Sequence, residues 1–230
     1  MSQSHQIAES VQEVRGRIGE AAVRSHRKPE DVSLLVVTKT LPVQTLQTAY
    51  DAGLRDFGEN RVQEALEKMA TLPFDIRWHL IGQLQTNKIN KALGRFTLIH
   101  SIDSLHLAGA LSSRVKGEDQ DVLLEVNTSG EDSKSGMVPQ EAVPAAETMS
   151  KLPGLRLRGL MTVGPLTEDV QKQRESFKKL KGLFEDIRRR GWAGQDFSIL
   201  SMGMSGDFEA AIEEGSTLVR VGTAIFGPRP

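Results

Sequence analysis

The sequence predicts an α/β protein folded as a (β/α)8 barrel of the TIM type, preceded by one extra helix. Two observations carry this expectation. Eight short apolar runs rich in β-branched residues recur along the chain, and helical spacing follows each of the first seven, the pattern of repeated β/α units around a parallel sheet. No GxGxxG follows the first run, so nothing favours the alternative, an open doubly wound sheet.

The elements follow in order. Residues 6–24 have amphipathic spacing and form the helix before the barrel. The first strand is residues 33–39, and the helix at 43–52 follows it, opened by Pro42 and closed by Gly53. The second and third strands, 54–57 and 76–81, flank a helix at 61–70. A helix at 86–93, closed by Gly94, leads to the fourth strand at 96–102 and then a helix at 104–115. The fifth strand, 122–127, precedes a helix at 139–151 with Pro139 in its first turn, and the sixth, 155–163, precedes a long helix at 167–190. The seventh strand is 197–202, its helix 205–214 ends at Gly215, and the eighth strand is 218–222. Only residues 223–230 remain, so the last barrel helix is expected to be short, missing or replaced by the N-terminal one. No repeat, low-complexity tract or Pro/Ser linker interrupts the chain, and a length of 230 residues suits a single domain over residues 1–230.

Composition narrows the functional classes. Lys plus Arg (29) nearly balance Asp plus Glu (30), so there is no global basic field to hold nucleic acid, and none is expected as a partner. The chain has no cysteine, and its five histidines show neither HxxxH nor HExxH spacing, so no metal is expected. The first residues lack an apolar signal core, and no stretch approaches the ~18 apolar residues of a membrane span. The expectation is a cytoplasmic protein with no membrane partner.

Barrels place their working groups at the C-terminal ends of strands. Here those ends read Lys39, Glu59-Asn60, His79 with Gly82, Ser101 with Asp103, Asn127, Met161, Ser201 with Gly203, and Arg220 with Gly222-Thr223. In SLLVVTK, alternation places Lys39 on the same inward face as Leu35 and Val37. Burying an ammonium is costly unless it is paired or converted, and desolvation favours the free, nucleophilic amine; the plain alternative is a lysine that snorkels to solvent. The segment SILSMGMS, residues 198–205, and the RVGT of residues 220–223 supply hydroxyls and glycines after the seventh and eighth strands, where barrels commonly bind phosphate. An ordinary helix start explains the first of these equally well, with Ser205 as N-cap and Asp207 complementing the dipole. Arg220 shares the inward parity of Leu218 and Gly222. It serves either as a cation beside a ligand or in a structural ion pair with Glu59, Asp103 or Glu209. An imine-forming lysine, a phosphate cup and a cation together are the parts of a pyridoxal phosphate site.

At these residues the sequence closely resembles the pyridoxal phosphate homeostasis family, whose barrel is similar to the N-terminal domain of alanine racemase and other fold-type III enzymes. The resemblance is carried by VVTKTLP around Lys39, FGENRVQE at 57–64, WHLIGQLQTNK at 78–88, HSID at 100–103 and NTSGEDSKSG at 127–136. It continues through RGLMTV at 158–163, LSMGMSGDFEAAI at 200–212 and GSTLVRVGTAIFG at 215–227. It implies pyridoxal 5′-phosphate as cofactor, with Lys39 as the Schiff-base lysine and Arg220 facing the pyridine nitrogen. Ser201, Gly203, Gly222 and Thr223 would hold the phosphate, with Asn60, His79 and Met161 as ring or strand-end neighbours. His79 reads equally as a satisfied interior histidine, Met161 as core filler, Asn127 as a loop-bonding residue and Lys134 as either a rim or an exposed lysine.

Catalysis is not expected. Racemization needs a base on each face of the ring, and fold-type III racemases, by the same resemblance, bring the second, a tyrosine, from a separate C-terminal domain of a partner subunit. This sequence ends at Pro230, and its one tyrosine, Tyr50, falls on the helix after the first strand. An arginine at the ring nitrogen also disfavours the protonated ring that is the best electron sink. The resemblance implies a role in intracellular vitamin B6 homeostasis, with indirect effects on amino-acid and keto-acid pools. PLP-dependent apoenzymes are the candidate partners and a monomer is the expected state. A residual racemase and an imine-forming aldolase are the competing readings.

Overall fold

The computed structural model describes residues 3–228. Its eight strands, β1 (Ser33–Val37), β2 (Asp56–Glu59), β3 (Arg77–Leu80), β4 (Leu98–Ile102), β5 (Gln120–Glu125), β6 (Leu155–Met161), β7 (Ile199–Met204) and β8 (Leu218–Val221), are all parallel and close in sequence order into a barrel. The seam is the β8–β1 pair, where Leu35 stands opposite Arg220 and Val36 opposite Val221. All eight strands overlap the apolar runs, β2 least, since it covers Asp56–Glu59 where residues 54–57 were expected. The helices are α1 (Gln3–Arg24), α2 (Val43–Asp51), α3 (Val62–Met69), α4 (Ile89–Ala92), α5 (Leu105–Ser112), α6 (Pro139–Ser150), α7 (Val170–Arg190), α8 (Phe208–Glu213) and α9 (Thr223–Phe226).

Alternation along the strands sorts the side chains into two cores. Outward-facing Val36, Phe57, Leu80, Leu124, Leu160, Leu200 and Val219 pack beneath the helices in the main hydrophobic cluster. Inside the barrel Leu98, Leu123 and Met161 form a small apolar plug with Val163 and Ile199 around it. Beyond this plug and the inward Leu35 and Leu218, the interior carries polar groups: His79, His100, Glu125, Ser201 and Arg220 are all buried there.

The last β/α unit is the irregular one. Helix α9 is a single turn, and α1 occupies the space beside it, packing against α2, α8 and α9. Its buried stripe, Ile7, Val11, Val14, Ile18, Ala21 and Ala22, repeats at helical spacing. Arg17 pairs with Glu209 at 3.0 Å and Arg24 with Glu213 at 2.8 Å, fastening the helix to α8. The short final helix and the N-terminal replacement expected as alternatives thus occur together.

Differences in boundaries have local causes. Strand β1 stops at Val37, although Thr38 still donates its N–H to Gly58 at 2.9 Å, because the chain turns at Lys39 and Thr40, the latter with φ +63°. Strand β7 runs on to Met204 and α8 starts only at Phe208. Ser205 is not a helix cap: its hydroxyl is committed to the turn after β8, as described below. Among the described residues no helix is long and apolar enough to cross a membrane.

Candidate functional site

Strand pairing places the lysine and the proposed phosphate turn side by side. Because Leu35 and Val36 lie opposite Arg220 and Val221, Lys39 leaves the barrel next to the turn formed by residues 222–224. Lys39 itself is half-buried. The residues on either side of it are tied down by a buried charged cluster. Thr38 donates its hydroxyl to Glu59 at 2.5 Å, and Thr40 donates its N–H to Glu64 at 2.6 Å. Lys68 joins both carboxylates, at 2.8 Å to Glu59 and 2.7 Å to Glu64, and donates to the Thr38 carbonyl at 2.9 Å. Burial pushes the Glu59 carboxyl up, opposed by the bonds from Lys68 and Thr38. Its second oxygen, Oε2, is buried without a partner.

Across the seam, Ser205 Oγ accepts N–H bonds from Gly222 at 3.1 Å and Ala224 at 3.3 Å. Two backbone donors and a hydroxyl therefore converge on one point at the rim. Gly203 has φ +92°, and a Cβ there would stand 2.5 Å from the Ala211 side chain and 2.9 Å from the Phe208 backbone, so only glycine lets the end of β7 lie against α8. Thr223 is exposed on the turn after β8.

Arg220 is 4% exposed. It donates to Ser201 Oγ at 2.6 Å and to the Thr162 carbonyl at 2.7 Å. Among the described residues it makes none of the ion pairs with Glu59, Asp103 or Glu209 that were weighed for it. Burial lowers its guanidinium to about 10, with Asp207 and Glu125 pulling the other way, so it stays cationic at neutral pH. Glu125, opposite Met161 in the sheet, is raised to about 7 by burial and then by Asp103, against the pull of Arg220. Asp207 is likewise raised by burial, although the Met204 N–H bond and Arg220 favour its charged form.

These placements match a known family. The family model for the alanine racemase N-terminal domain matches residues 20–230. The pyridoxal phosphate homeostasis protein of Pseudomonas aeruginosa is 46% identical over 226 residues, 97% of this chain and 96% of that protein. The chain belongs to this family. PipY of Synechococcus elongatus, solved with PLP bound, superposes with a TM-score of 0.81 at 34% identity, covering 96% of this chain and all (100%) of PipY. Alanine racemase from Corynebacterium glutamicum shares the fold, with a TM-score of 0.77 at 16% identity over 99% of this chain and 62% of the racemase.

Within this family member the expected residues divide into groups. Lys39, Gly203, Gly222 and Thr223 lie at the strand-end rim on adjacent elements, and Ser201 and Arg220 lie just below, bonded to each other. Asn60 is half-buried at the end of β2, where Gly82 allows close approach: a Cβ on Gly82 would stand 2.3 Å from the Asn60 carbonyl. Met161 belongs to the interior plug. His79, expected beside the ring, has both ring nitrogens engaged inside the barrel, with His100 at 3.0 Å and Asp56 at 3.2 Å, and keeps no free polar atom for a ligand. Asn127 organises its own loop, donating to the Glu131 and Lys134 carbonyls. Lys134 is a rim residue, bonded to Glu131 and to the Gly164 carbonyl across the β6 loop.

Three features escaped the sequence reading. His100 was visible in HSID and on the inward parity of β4, but its partners come from other strands. The Glu59–Lys68–Glu64 cluster joins β2 to α3, and only the i,i+4 spacing of Glu64 and Lys68 hinted at it. The anchoring of the β8 turn by Ser205 spans 17 residues and left no local signal.

Proposed function

We propose that this chain binds pyridoxal 5′-phosphate, holding it at Lys39 as a Schiff base, and acts as a non-catalytic protein of intracellular vitamin B6 homeostasis. One observation carries the reading: the lysine turn, the paired amide donors of Gly222 and Ala224, and the Arg220 guanidinium meet at one end of adjacent strands. The donor set suits the group. The Gly222 and Ala224 N–H groups converge on Ser205 Oγ, and a phosphate oxygen taking the place of that hydroxyl oxygen would accept both, with the Thr223 hydroxyl beside it, while a cation suits an unprotonated pyridine nitrogen. The cofactor supplies an aldehyde that a lysine amine captures reversibly. The chain's own residues supply position: the Glu59–Lys68–Glu64 cluster holds the lysine turn, and Gly203 and Ser205 shape the anion cup.

The non-catalytic part rests on electrostatics and on the missing second base. Arg220 keeps a positive charge where protonation of the ring would be needed for strong carbanion stabilisation. Tyr50, the sequence's one tyrosine, donates to Asp75 at 2.8 Å on the outside of the barrel. His79, the other residue weighed as a base, is held between His100 and Asp56.

The test has two arms. Purified protein loaded with cofactor and reduced with borohydride is expected to carry the adduct on Lys39, and Lys39→Ala to lose it; a principal adduct elsewhere sinks the assignment. Deuterium exchange at the α-carbon of alanine is expected to run within about tenfold of free cofactor, since a positioned base contributes about 10² to 10⁴ in rate. Rapid Lys39-dependent exchange would move the chain into the racemase class.

Delivery of the cofactor to PLP-dependent apoenzymes, from a monomer whose 230 residues form one domain, completes the reading. Exposed Leu105, Val138, Leu166, Val170 and Met204 all stand on the strand-end side of the barrel, an apolar fringe suited to a transient protein contact around the ligand. Transfer to a defined apoenzyme faster than release into solution supports this. Identical rates remove it.

A further inference from the structure

Below Arg220 a line of polar side chains crosses the barrel interior from one rim toward the other. Arg220 Nη1 donates to Ser201 Oγ at 2.6 Å, and Ser201 Oγ lies 3.2 Å from His100 Nδ1. His100 Nε2 lies 3.0 Å from His79 Nδ1, and His79 Nε2 lies 3.2 Å from Asp56 Oδ1. Asp56 is held in turn by Arg77, whose Nε and Nη2 donate at 2.7 and 2.6 Å, at the end of the barrel away from the proposed cofactor. His79, His100, Ser201 and Arg220 are all 5% exposed or less.

The two ends of this line fix its direction. A guanidinium only donates. Burial works against the Asp56 charge, but bonds from His79 and Arg77 hold its carboxyl down at about 2, so at neutral pH Asp56 only accepts. Burial, with His79 and Arg220 nearby, holds His100 well below the usual imidazole range, so it carries one proton. Only one assignment gives every hydrogen in the line an acceptor. His79 donates from Nε2 to Asp56 and accepts at Nδ1 from His100 Nε2–H; His100 accepts at Nδ1 from the Ser201 hydroxyl; and the serine lone pair faces Arg220. A second proton on His79 would reverse the links above it and leave the Ser201 hydroxyl hydrogen without an acceptor in the line.

We propose that Asp56, His79 and His100 are positioning residues that act as a directional relay, fixing the Ser201 hydroxyl and through it the orientation of Arg220 beneath the cofactor ring. The relay is a property of the apo-chain; its effect on a ring rests on the cofactor reading above. Two groups outside the line face this interior, Glu125 on β5 and Asp207 after β7, and both act on Arg220 through charge rather than through the histidines. The relay accounts for two histidines buried in the barrel interior, since each is satisfied by the other, His79 further by Asp56 and His100 further by Ser201.

Two-bond ¹⁵N–¹H correlation spectra of the apo-protein at neutral pH test the direction without any cofactor, with the rings assigned through His79→Gln and His100→Leu. The expected result is a bare Nδ1 and a protonated Nε2 on both rings; a proton on Nδ1 of either ring overturns the relay. Asp56→Asn replaces an obligate acceptor with a group that also donates, and is expected to abolish the single tautomer; unchanged spectra overturn the proposal. In cofactor-loaded protein, His100→Leu is expected to move the pH midpoint of the chromophore by about one unit or more, a tenfold change in proton affinity. A folded, loaded His100→Leu protein with the wild-type midpoint overturns the coupling to Arg220, and if Asp56→Asn does not fold, this variant decides alone. Wild-type protein that never takes up the cofactor defeats the functional reading but leaves the tautomer result to stand or fall separately.

Discussion

The β1–β3 side and the β7–β8 side of the barrel each position one basic residue of the proposed site, Lys39 and Arg220, and they do so by opposite means. Lys39 is fixed through its backbone. A charged, buried cluster grips the residues before and after it, and among the described residues no hydrogen bond or ion pair claims the amine itself. Arg220 is fixed through its side chain by a serine and a carbonyl, with the His100 imidazole, held neutral by burial, behind the serine. A group that must form and break a covalent bond needs a free end and a rigid base, whereas a group that only presents charge is best held by that charged end. Charged support should also fail more abruptly than neutral support when one member is removed, because an unpaired buried ion costs more than an unpaired neutral group.

The sharpest way to break the comparison is Lys68→Met. It strands Glu59 and Glu64, and the expected cost is about 3–5 kcal/mol in urea unfolding. A loss under about 1 kcal/mol would show that the cluster does not hold the lysine turn. Next is the pH dependence of Glu125, which lies between the two sides. Its carboxyl is raised to about 7 from 4.5, so the folded state binds a proton that the unfolded state has already released. Its contribution is therefore fully present below pH about 4.5, is lost as pH rises, and is gone above about 7. Glu125→Gln is expected to unfold at higher urea than wild type at pH 8 but not at pH 4.5, by a differential of about 2–3 kcal/mol. A parallel shift at both pH values would contradict it.

On the neutral side, Ser201→Ala removes the oxygen shared by Arg220 and His100. The expected loss is about 1.5–3 kcal/mol, the range for a hydrogen bond to a charged group, with weaker cofactor binding by equilibrium dialysis. The smallest effect expected is for Thr38→Val, which keeps shape and deletes the hydroxyl donor to Glu59, at about 1–2 kcal/mol in the same unfolding assay. If Ser201→Ala proves costlier than Lys68→Met, the contrast between the two supports is wrong.

What the sequence made legible follows the same divide. Strand order, helix placement and the inward parity of Arg220 were readable because they depend on local period, and Gly53, Gly94 and Gly215 marked helix ends with φ of +85°, +68° and +102°. The supports were not readable. Lys68 sits on a buried position of α3, and a lysine in a helical pattern ordinarily signals the solvent face. His79 and His100 are 21 residues apart and meet only because β3 and β4 are neighbours in a closed barrel. Ser205 read as a helix cap because serine before a helix usually is one, while its true partners lie on the next strand.

The position of α1 has a consequence for synthesis. Its apolar stripe packs on α8 and α9, and Arg17 meets Glu209 across a separation of 192 residues. At a ribosomal rate of about 5–20 residues per second, the stripe waits roughly 10–40 s for the partners that cover it. During that interval the nascent helix has α2 to pack against but neither α8 nor α9, and the face left open is a docking site for a chaperone and a seed for aggregation. The barrel closes only when β8 pairs with β1, so α1, which precedes all eight strands, is among the last helices to be buried.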